Sequence, residues 1–214
     1  MSDIFQEVDE DLRRENYAKL WARYGKYVLA LAVLLVVAVA GVGQWRSYQL
    51  HQREAEGGRY ANALELARQG KDKDAADAFA SIARQAGAGR AVLARLEEGV
   101  AKARAGDTEG AVAAFEALAA DGGADPVYRD MALLLAAQYS LKAGDPRAII
   151  AKLAPLTSTE NPWHPTALEL TAIAQLKAGD KTAARASYQR LADDLAAPSG
   201  LRARAAEMVA ALAG

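Results

Sequence analysis

Four glycines recur at a nearly constant interval, and this recurrence constrains the fold more than any other feature of the sequence. They are Gly70, Gly106, Gly144 and Gly179, separated by 36, 38 and 35 residues. An aspartate follows each glycine directly or, in the first case, after one lysine. Glycine accepts the left-handed backbone that ends a helix, and aspartate caps the next helix. A period in this range predicts stacked hairpins, each made of a helix A, a tight turn and a helix B.

A second pattern with the same period marks helix B. A small residue stands five positions after the turn glycine and an aromatic residue four positions later, as in Ala75 and Phe79, Ala111 and Phe115, and Ala184 and Tyr188. The small residue allows helix A to approach closely and the ring fills the groove between the helices. The third unit departs, with Ile149 and Leu153 in these places and with Pro146 and Pro155 bracketing a short helix B. We expect this unit to be irregular.

The composition agrees with an all-α fold. Hydrophobic residues make up 52% of the chain but aromatic residues only 7%, which favours closely packed helices over a β-sandwich. The 26 Lys and Arg residues are balanced by 27 Asp and Glu residues, so we expect no nucleic-acid partner. The chain has no cysteine, which excludes disulfides, thiolate zinc sites and cysteine nucleophiles.

An uncharged apolar run precedes the repeats. From Tyr27 to Trp45 it covers roughly 27 Å at about 1.5 Å per residue, which is near the thickness of a bilayer core. Aromatic side chains favour the headgroup zone, and here they flank the run on both sides. The predicted interface anchors are Trp21, Tyr24, Tyr27, Trp45 and Tyr48. We therefore predict one transmembrane helix over residues 27–45.

Two alternatives compete with this anchor. A buried core helix would need protein around its whole circumference, for which the rest of the chain is too small. A signal peptide cleaved after Ala40 fits the small residues Ala38 and Ala40, but the six acidic residues within the first 26 are atypical of signal peptides. An uncleaved anchor fits better. Five Lys and Arg residues precede the run and three follow closely, which favours a cytoplasmic N-terminus and a periplasmic repeat domain in a bacterial inner membrane.

The predicted organisation has four parts. A polar cytoplasmic segment covers residues 1–26, the transmembrane anchor residues 27–45, and a juxtamembrane helix or linker residues 46–55. A repeat domain covers residues 56–214, and its last helix, about 199–213, caps the stack.

The sequence offers little for catalysis. His51 and His164 are distant from each other, and the paired acids, such as Glu97 with Glu98, are typical of solvated helix faces. His164 stands in a turn that should start a helix, where a capping or packing role is favoured. We therefore predict no enzymatic activity, no catalytic residue, no metal site, no cofactor and no small-molecule substrate.

The repeated pattern resembles the tetratricopeptide repeat over about residues 56–196. The resemblance rests on the glycine and aspartate of the turn, on the small and aromatic residues of helix B, and on Gly99, seven residues before Gly106. The usual tryptophan of helix A is absent, and the usual proline is displaced to Pro126, Pro162 and Pro198.

The whole arrangement resembles the ancillary subunits of the bacterial Sec translocon. That resemblance also uses residues 44–48, the end of the anchor, and residues 51–52 after it. It implies an inner-membrane protein-interaction scaffold whose partners are translocon subunits, periplasmic chaperones or exported polypeptides. The alternative is a tetratricopeptide adaptor for another envelope assembly or cell-division complex.

A possible partner-binding groove follows from aligning the repeats. Two residues before each turn glycine stands a base: Arg68, Arg104, Lys142 and Lys177. In the register of a tetratricopeptide these bases lie on the concave side and would contact carboxylates of a bound segment. The alternative is that each base stabilises its own helix end through the helix dipole. Apolar helix A residues predicted to contribute to the groove are Leu96, Val100, Leu134 and Ile173.

Overall fold

The structure, a computed structural model, describes residues 23, 26, 34–35, 37–45, 47 and 57–213. The chain divides into two compact parts, an N-terminal part, Met1–Ala55, and a C-terminal part, Glu56–Gly214. In the N-terminal part the described residues are helical, and Trp45 is 65% exposed. No helix within the described residues is both long enough and apolar enough to cross a bilayer. Much of the predicted span, with the anchors Trp21, Tyr24, Tyr27 and Tyr48, lies outside the described residues, so the transmembrane helix stays a prediction.

Every regular element described in the C-terminal part is a helix, which agrees with the predicted all-α class. The elements are α1 (57–68), α2 (Asp72–Gln85), α3 (Ala88–Arg104), α4 (Thr108–Ala119), α5 (Pro126–Ser140), α6 (Pro146–Leu153), a 3-10 helix (Ala154–Thr157), α7 (His164–Lys177), α8 (Lys181–Asp193) and α9 (Ser199–Ala211). From α2 to α9, each α-helix packs on the next. Odd-numbered helices from α1 to α7 are therefore helices A of four hairpins and even-numbered ones are helices B. The last helix, α9, packs on α8.

Three of the four turns end helix A in the predicted way. Gly70, Gly106 and Gly179 have φ angles of 73°, 86° and 82°, a region that side chains with a Cβ atom disfavour. After α3, the amide of Gly106 donates to the carbonyl of Ala103 and the amide of Asp107 to that of Lys102. This is the Schellman arrangement, which satisfies carbonyls that the end of a helix leaves without partners.

The remaining turn glycine, Gly144 of the third unit, does not have a positive φ angle, so the left-handed conformation predicted there is wrong. The cause is an early end of α5 at Ser140, after which the chain folds back. The amide of Gly144 donates to the carbonyl of Ser140 at 2.6 Å, and a Cβ atom at Gly144 would lie 2.8 Å from that oxygen. Close backbone approach, and not handedness, requires glycine at this position.

The turn aspartates cap the next helix in three units. Asp107, Asp145 and Asp180 each accept a hydrogen bond from a backbone amide in the first turn of helix B. In the first unit the capping prediction is wrong, because Lys71 occupies the position before the helix and Asp72 is already its first residue. The extra lysine in that turn shifts the aspartate by one place.

The predicted helix B pattern lies in the core. Five of the six small and aromatic residues are fully buried, and Tyr188 is 4% exposed. In the second unit the approach is close enough that a Cβ atom at Gly99 would lie 2.5 Å from the Phe115 ring. The irregular third unit is also confirmed: α6 has 8 residues, against 14, 12 and 13 in the other helices B, and the 3-10 helix follows it.

Candidate functional site

Helices A share one side of the stack. Besides the helices B on either side of it in the chain, α4 and α6, α5 contacts the neighbouring helices A, α3 and α7. On α1, α3 and α7, the positions 2, 6, 9 and 13 residues before the turn glycine are three or four residues apart and form one stripe. In α5, which ends at Ser140, the stripe consists of positions 6, 9 and 13. We call the side formed by these stripes the helix A face.

The helix A face is partly open in consecutive units. In α3 its stripe consists of Leu93, Glu97, Val100 and Arg104, of which Leu93 is 43% exposed, Arg104 is exposed and the other two are half-buried. In α5 the stripe consists of Met131 and Leu135, both half-buried, and the exposed Gln138. In α7 it consists of the exposed Thr166, the buried Leu170 and the half-buried Ile173. Apolar side chains therefore lie accessible side by side on two neighbouring helices.

Of the four apolar residues predicted for the groove, two lie on this stripe. Val100 and Ile173 stand six residues before their glycines and are half-buried. Leu96 and Leu134 stand ten residues before theirs and are only 7% and 4% exposed, in core clusters of the second and third units. Position 10 is turned about 40° from position 6, toward helix B, since four residues rotate a helix by slightly more than one turn. The binding role stays a prediction, but burial leaves Val100 and Ile173 as the accessible members.

The four bases lie in different surroundings. Arg68 has its guanidinium 4.0 Å from the carboxylate of Glu65, and the ammonium of Lys177 donates to the carbonyl of Leu141 at the end of α5. Arg104 and Lys142 are exposed, and their side chains make no hydrogen bond or ion pair within the described residues. The positive charge of Lys177 thus stabilises the carbonyl end of α5, the helix A of the preceding repeat. The predicted alternative assigned each base to the end of its own helix. The predicted contact of these bases with partner carboxylates stays a prediction.

Two carboxylates act on tyrosine side chains: Glu97 of the helix A face on Tyr60, and Glu169, which lies toward α8 and α9, on Tyr188. Burial raises the pKa of the Tyr60 hydroxyl, and the negative charge of Glu97 raises it further. Burial likewise raises the pKa of Tyr188, with a further contribution from Glu169. Glu169 forms an ion pair with Arg204 of α9 at 3.0 Å. The Glu169–Arg204 pair joins the last helix to the fourth unit.

The described residues contain no group of three or more His, Asp or Glu side chains that could hold a metal ion. His164 is 5% exposed and begins α7. Its Nδ1 lies 2.8 Å from the carbonyl of Thr157, and its Nε2 lies 3.9 Å from the carboxylate of Asp194. These contacts agree with the predicted helix-start and packing role. His51 lies outside the described residues.

Sequence reasoning missed most of the helix A face, including Leu93, Glu97, Met131, Leu135 and Gln138. The pattern was present in the sequence, because counting back in steps of four, three and four residues from the residue two places before each turn glycine gives the stripe directly.

A family model described as "Tetratricopeptide repeat-like domain" matches residues 18–208. The matched range begins before the apolar run and includes it together with the repeats. No curated protein and no solved structure matches the chain at a significant level.

Proposed function

The chain belongs to the tetratricopeptide repeat-like domain family, and on that premise we propose that it is a scaffold that binds other proteins through its helix A face. Stacked helical hairpins present an extended surface to partners, and domains of this kind are generally adaptors without catalytic activity of their own. We extend this to the whole chain, which we propose is not an enzyme.

The observation that carries this proposal is the open apolar stripe on α3 and α5. Leu93 is 43% exposed, and Val100, Met131 and Leu135 are half-buried beside core residues. Binding of an apolar segment there would remove this surface from water, at about 25 cal/mol for each Å² of apolar area. Arg104 and Gln138 give the same surface polar groups that orient a ligand.

We further propose that residues 27–45 tether this scaffold to the bacterial inner membrane, with the repeats in the periplasm. The uncharged run, its aromatic flanks and the excess of bases before it support this tether. The family match supports it as well, because the matched range includes the run. A reporter that is active only outside the cytoplasm, fused after Gly214, should be active; a silent reporter would overturn the orientation.

The specific role that we propose is an ancillary subunit of the Sec translocon that links export to periplasmic chaperones. The support is the resemblance of the whole arrangement, from the polar N-terminal segment through the anchor flank to the repeats. A membrane tether would hold the helix A face near polypeptides that emerge from an export channel.

One pair of variants tests the binding face. Leu93→Glu places a charge on the helix A face, whereas Ala186→Glu places the same charge on an exposed position of α8. Both full-length variants are purified from source-cell membranes in mild detergent, and the proteins that accompany them are identified and quantified. Circular dichroism confirms that both are folded.

We expect Leu93→Glu to lose the main partner and Ala186→Glu to keep it. Translocon subunits or periplasmic chaperones among the lost proteins support the specific role. Proteins of envelope assembly or cell division would replace that role by the adaptor alternative. Equal retention of partners by both variants contradicts binding through the helix A face.

A further inference from the structure

A cleft of about 300 Å³ lies between α4 and the end of α5. Helix α4 contributes Glu109, Val112 and Glu116 to its wall, while Tyr139, Ser140 and Gly144 contribute the opposite side. None of the residues of the helix A face lines this cleft. It is therefore independent of the binding face proposed above.

The early end of α5 shapes this cleft. Helix α3 continues to two residues before its turn glycine, whereas α5 stops four residues before Gly144. The amides of Ala143 and Gly144 both donate to the carbonyl of Ser140, so the chain folds tightly over the helix end. Since Gly144 has no side chain, the wall beside Ser140 is made of backbone.

The walls of the cleft are apolar and held in place. Val112 and Tyr139 are half-buried and belong to the periphery of the core cluster of the second unit. The ring of Tyr139 stacks on the ring of Phe115 with centroids 5.7 Å apart and an angle of 10° between the planes. Because Phe115 is fully buried, this stacking fixes the position of the Tyr139 ring.

Two carboxylates, Glu109 and Glu116, line the cleft. Glu109 is exposed, and its side chain makes no ion pair or hydrogen bond within the described residues. Glu116 stands seven residues later on the same side of α4, and one of its oxygens binds the ammonium of Lys152, which leaves the other oxygen available.

We propose that this cleft binds a lysine or arginine side chain of a partner polypeptide. The aliphatic part of the side chain lies on Val112 and Tyr139, as long basic side chains do on apolar surfaces. Its charged group pairs with Glu109 and with the available oxygen of Glu116. Charge complementarity with these two carboxylates selects a basic segment over an acidic one.

Methyl resonances of the full-length protein give a direct test. The protein is labelled at valine and alanine methyl groups and titrated with acetyl-Ala-Arg-Ala-amide, and in parallel with acetyl-Ala-Glu-Ala-amide. We expect the arginine peptide to shift the Val112 and Ala113 resonances in a saturable way. The glutamate peptide should leave them unchanged.

Glu109→Gln should weaken binding of the arginine peptide about tenfold or more, because it removes one charge-assisted bond while keeping the shape of the side chain. Glu207→Gln is the matched control, since Glu207 is an exposed glutamate on α9. This control should bind as the unmodified protein does.

Three outcomes would overturn the proposal: no saturable shift with the arginine peptide, equal binding of the glutamate peptide, or unchanged affinity in Glu109→Gln. A negative result at the cleft leaves the partners lost in Leu93→Glu unaffected, so the two proposals fail separately.

Discussion

The second and third units of the repeat domain differ in how the chain passes from helix A to helix B. In the second unit a left-handed glycine, Gly106, ends helix A and leads to a helix B of 12 residues. In the third unit Gly144 is not left-handed, helix A stops early, and helix B has 8 residues. Both units nevertheless bury their helix B contacts, with Phe115 fully buried in one and Leu153 in the other.

This difference shows that the turn glycine serves two separate physical needs. At Gly106 the need is a positive φ angle, which costs other residues roughly 1–2 kcal/mol. At Gly144 it is the absence of a Cβ atom beside the carbonyl of Ser140. The same position of the repeat therefore requires glycine for two different physical reasons. Substitutions at Gly106 and Gly144 can distinguish them.

The largest expected effect is at the core position of helix B. Phe115→Ala should reduce the free energy of unfolding by about 3–5 kcal/mol, because it empties a fully buried site against Gly99. Leu153→Ala should cost less, about 2–5 kcal/mol, because a smaller side chain is removed. Urea unfolding followed by circular dichroism measures both. A larger loss for Leu153→Ala would place the stronger packing in the irregular unit.

The second prediction separates the two glycine mechanisms. Gly106→Ala should cost about 1–2 kcal/mol, and Gly106→Asn less, because asparagine tolerates the left-handed region. At Gly144 asparagine should be no better than alanine, since both add the Cβ atom that meets Ser140. The same unfolding measurement compares the four variants. An equal benefit of asparagine at both positions would refute the distinction.

The third prediction concerns the aspartate of the turn. Asp107→Ala and Asp145→Ala should each cost about 1 kcal/mol, because each removes a side-chain cap. Asp72→Ala should cost about 0.5 kcal/mol or less, because Asp72 lies inside the first turn and makes no capping bond there. Equal losses at Asp72 and Asp107 would show that helix-dipole effects, and not caps, account for all three.

The smallest effect is expected in the loop between α4 and α5, which joins the second and third repeat units. The amide of Gly123 and the guanidinium of Arg95 lower the pKa of Asp121 from its usual value of 3.8. A carboxyl group with a lower pKa in the folded state stabilises the protein above its unfolded pKa, and this contribution is lost as the pH falls through the folded pKa.

Asp121→Asn should therefore show a slightly smaller loss of stability than the unmodified protein between about pH 5 and about pH 2. Urea midpoints at the two pH values measure the difference, and Glu207→Gln provides an exposed-carboxylate control. An unchanged or steeper loss of stability in Asp121→Asn would contradict this contribution.

Much of the repeat architecture was predictable because it depends on local chemistry. The spacing of Gly70, Gly106 and Gly179 gives the helix ends, and the small and aromatic residues give the buried side of helix B. The conformation of Gly144 was not predictable in this way, since it depends on where α5 stops, and the sequence before Gly144 has no Pro or Gly signal that marks Ser140 as the end.

The binding face was predicted only in part. Val100 and Ile173 lie on the helix A face, but Leu96 and Leu134, which were assigned to the same groove, are buried. A 40° rotation along a helix separates these pairs, and hydrophobicity alone does not reveal it. The cleft beside Gly144 was not predicted, since it requires the fold-back of the chain after α5.

A crosslinking scan along α5 in intact membranes tests the central claim most directly. A photoreactive residue is placed singly at Met131, Leu135 and Gln138 of the helix A face, and at the half-buried Leu133 as the matched control on the same helix. Leu133 packs against the core cluster of the third unit and lies off the stripe. We predict that the three stripe positions capture the same partner protein and that position 133 does not. Equal capture from all four positions, or capture from position 133 alone, would contradict binding through the helix A face.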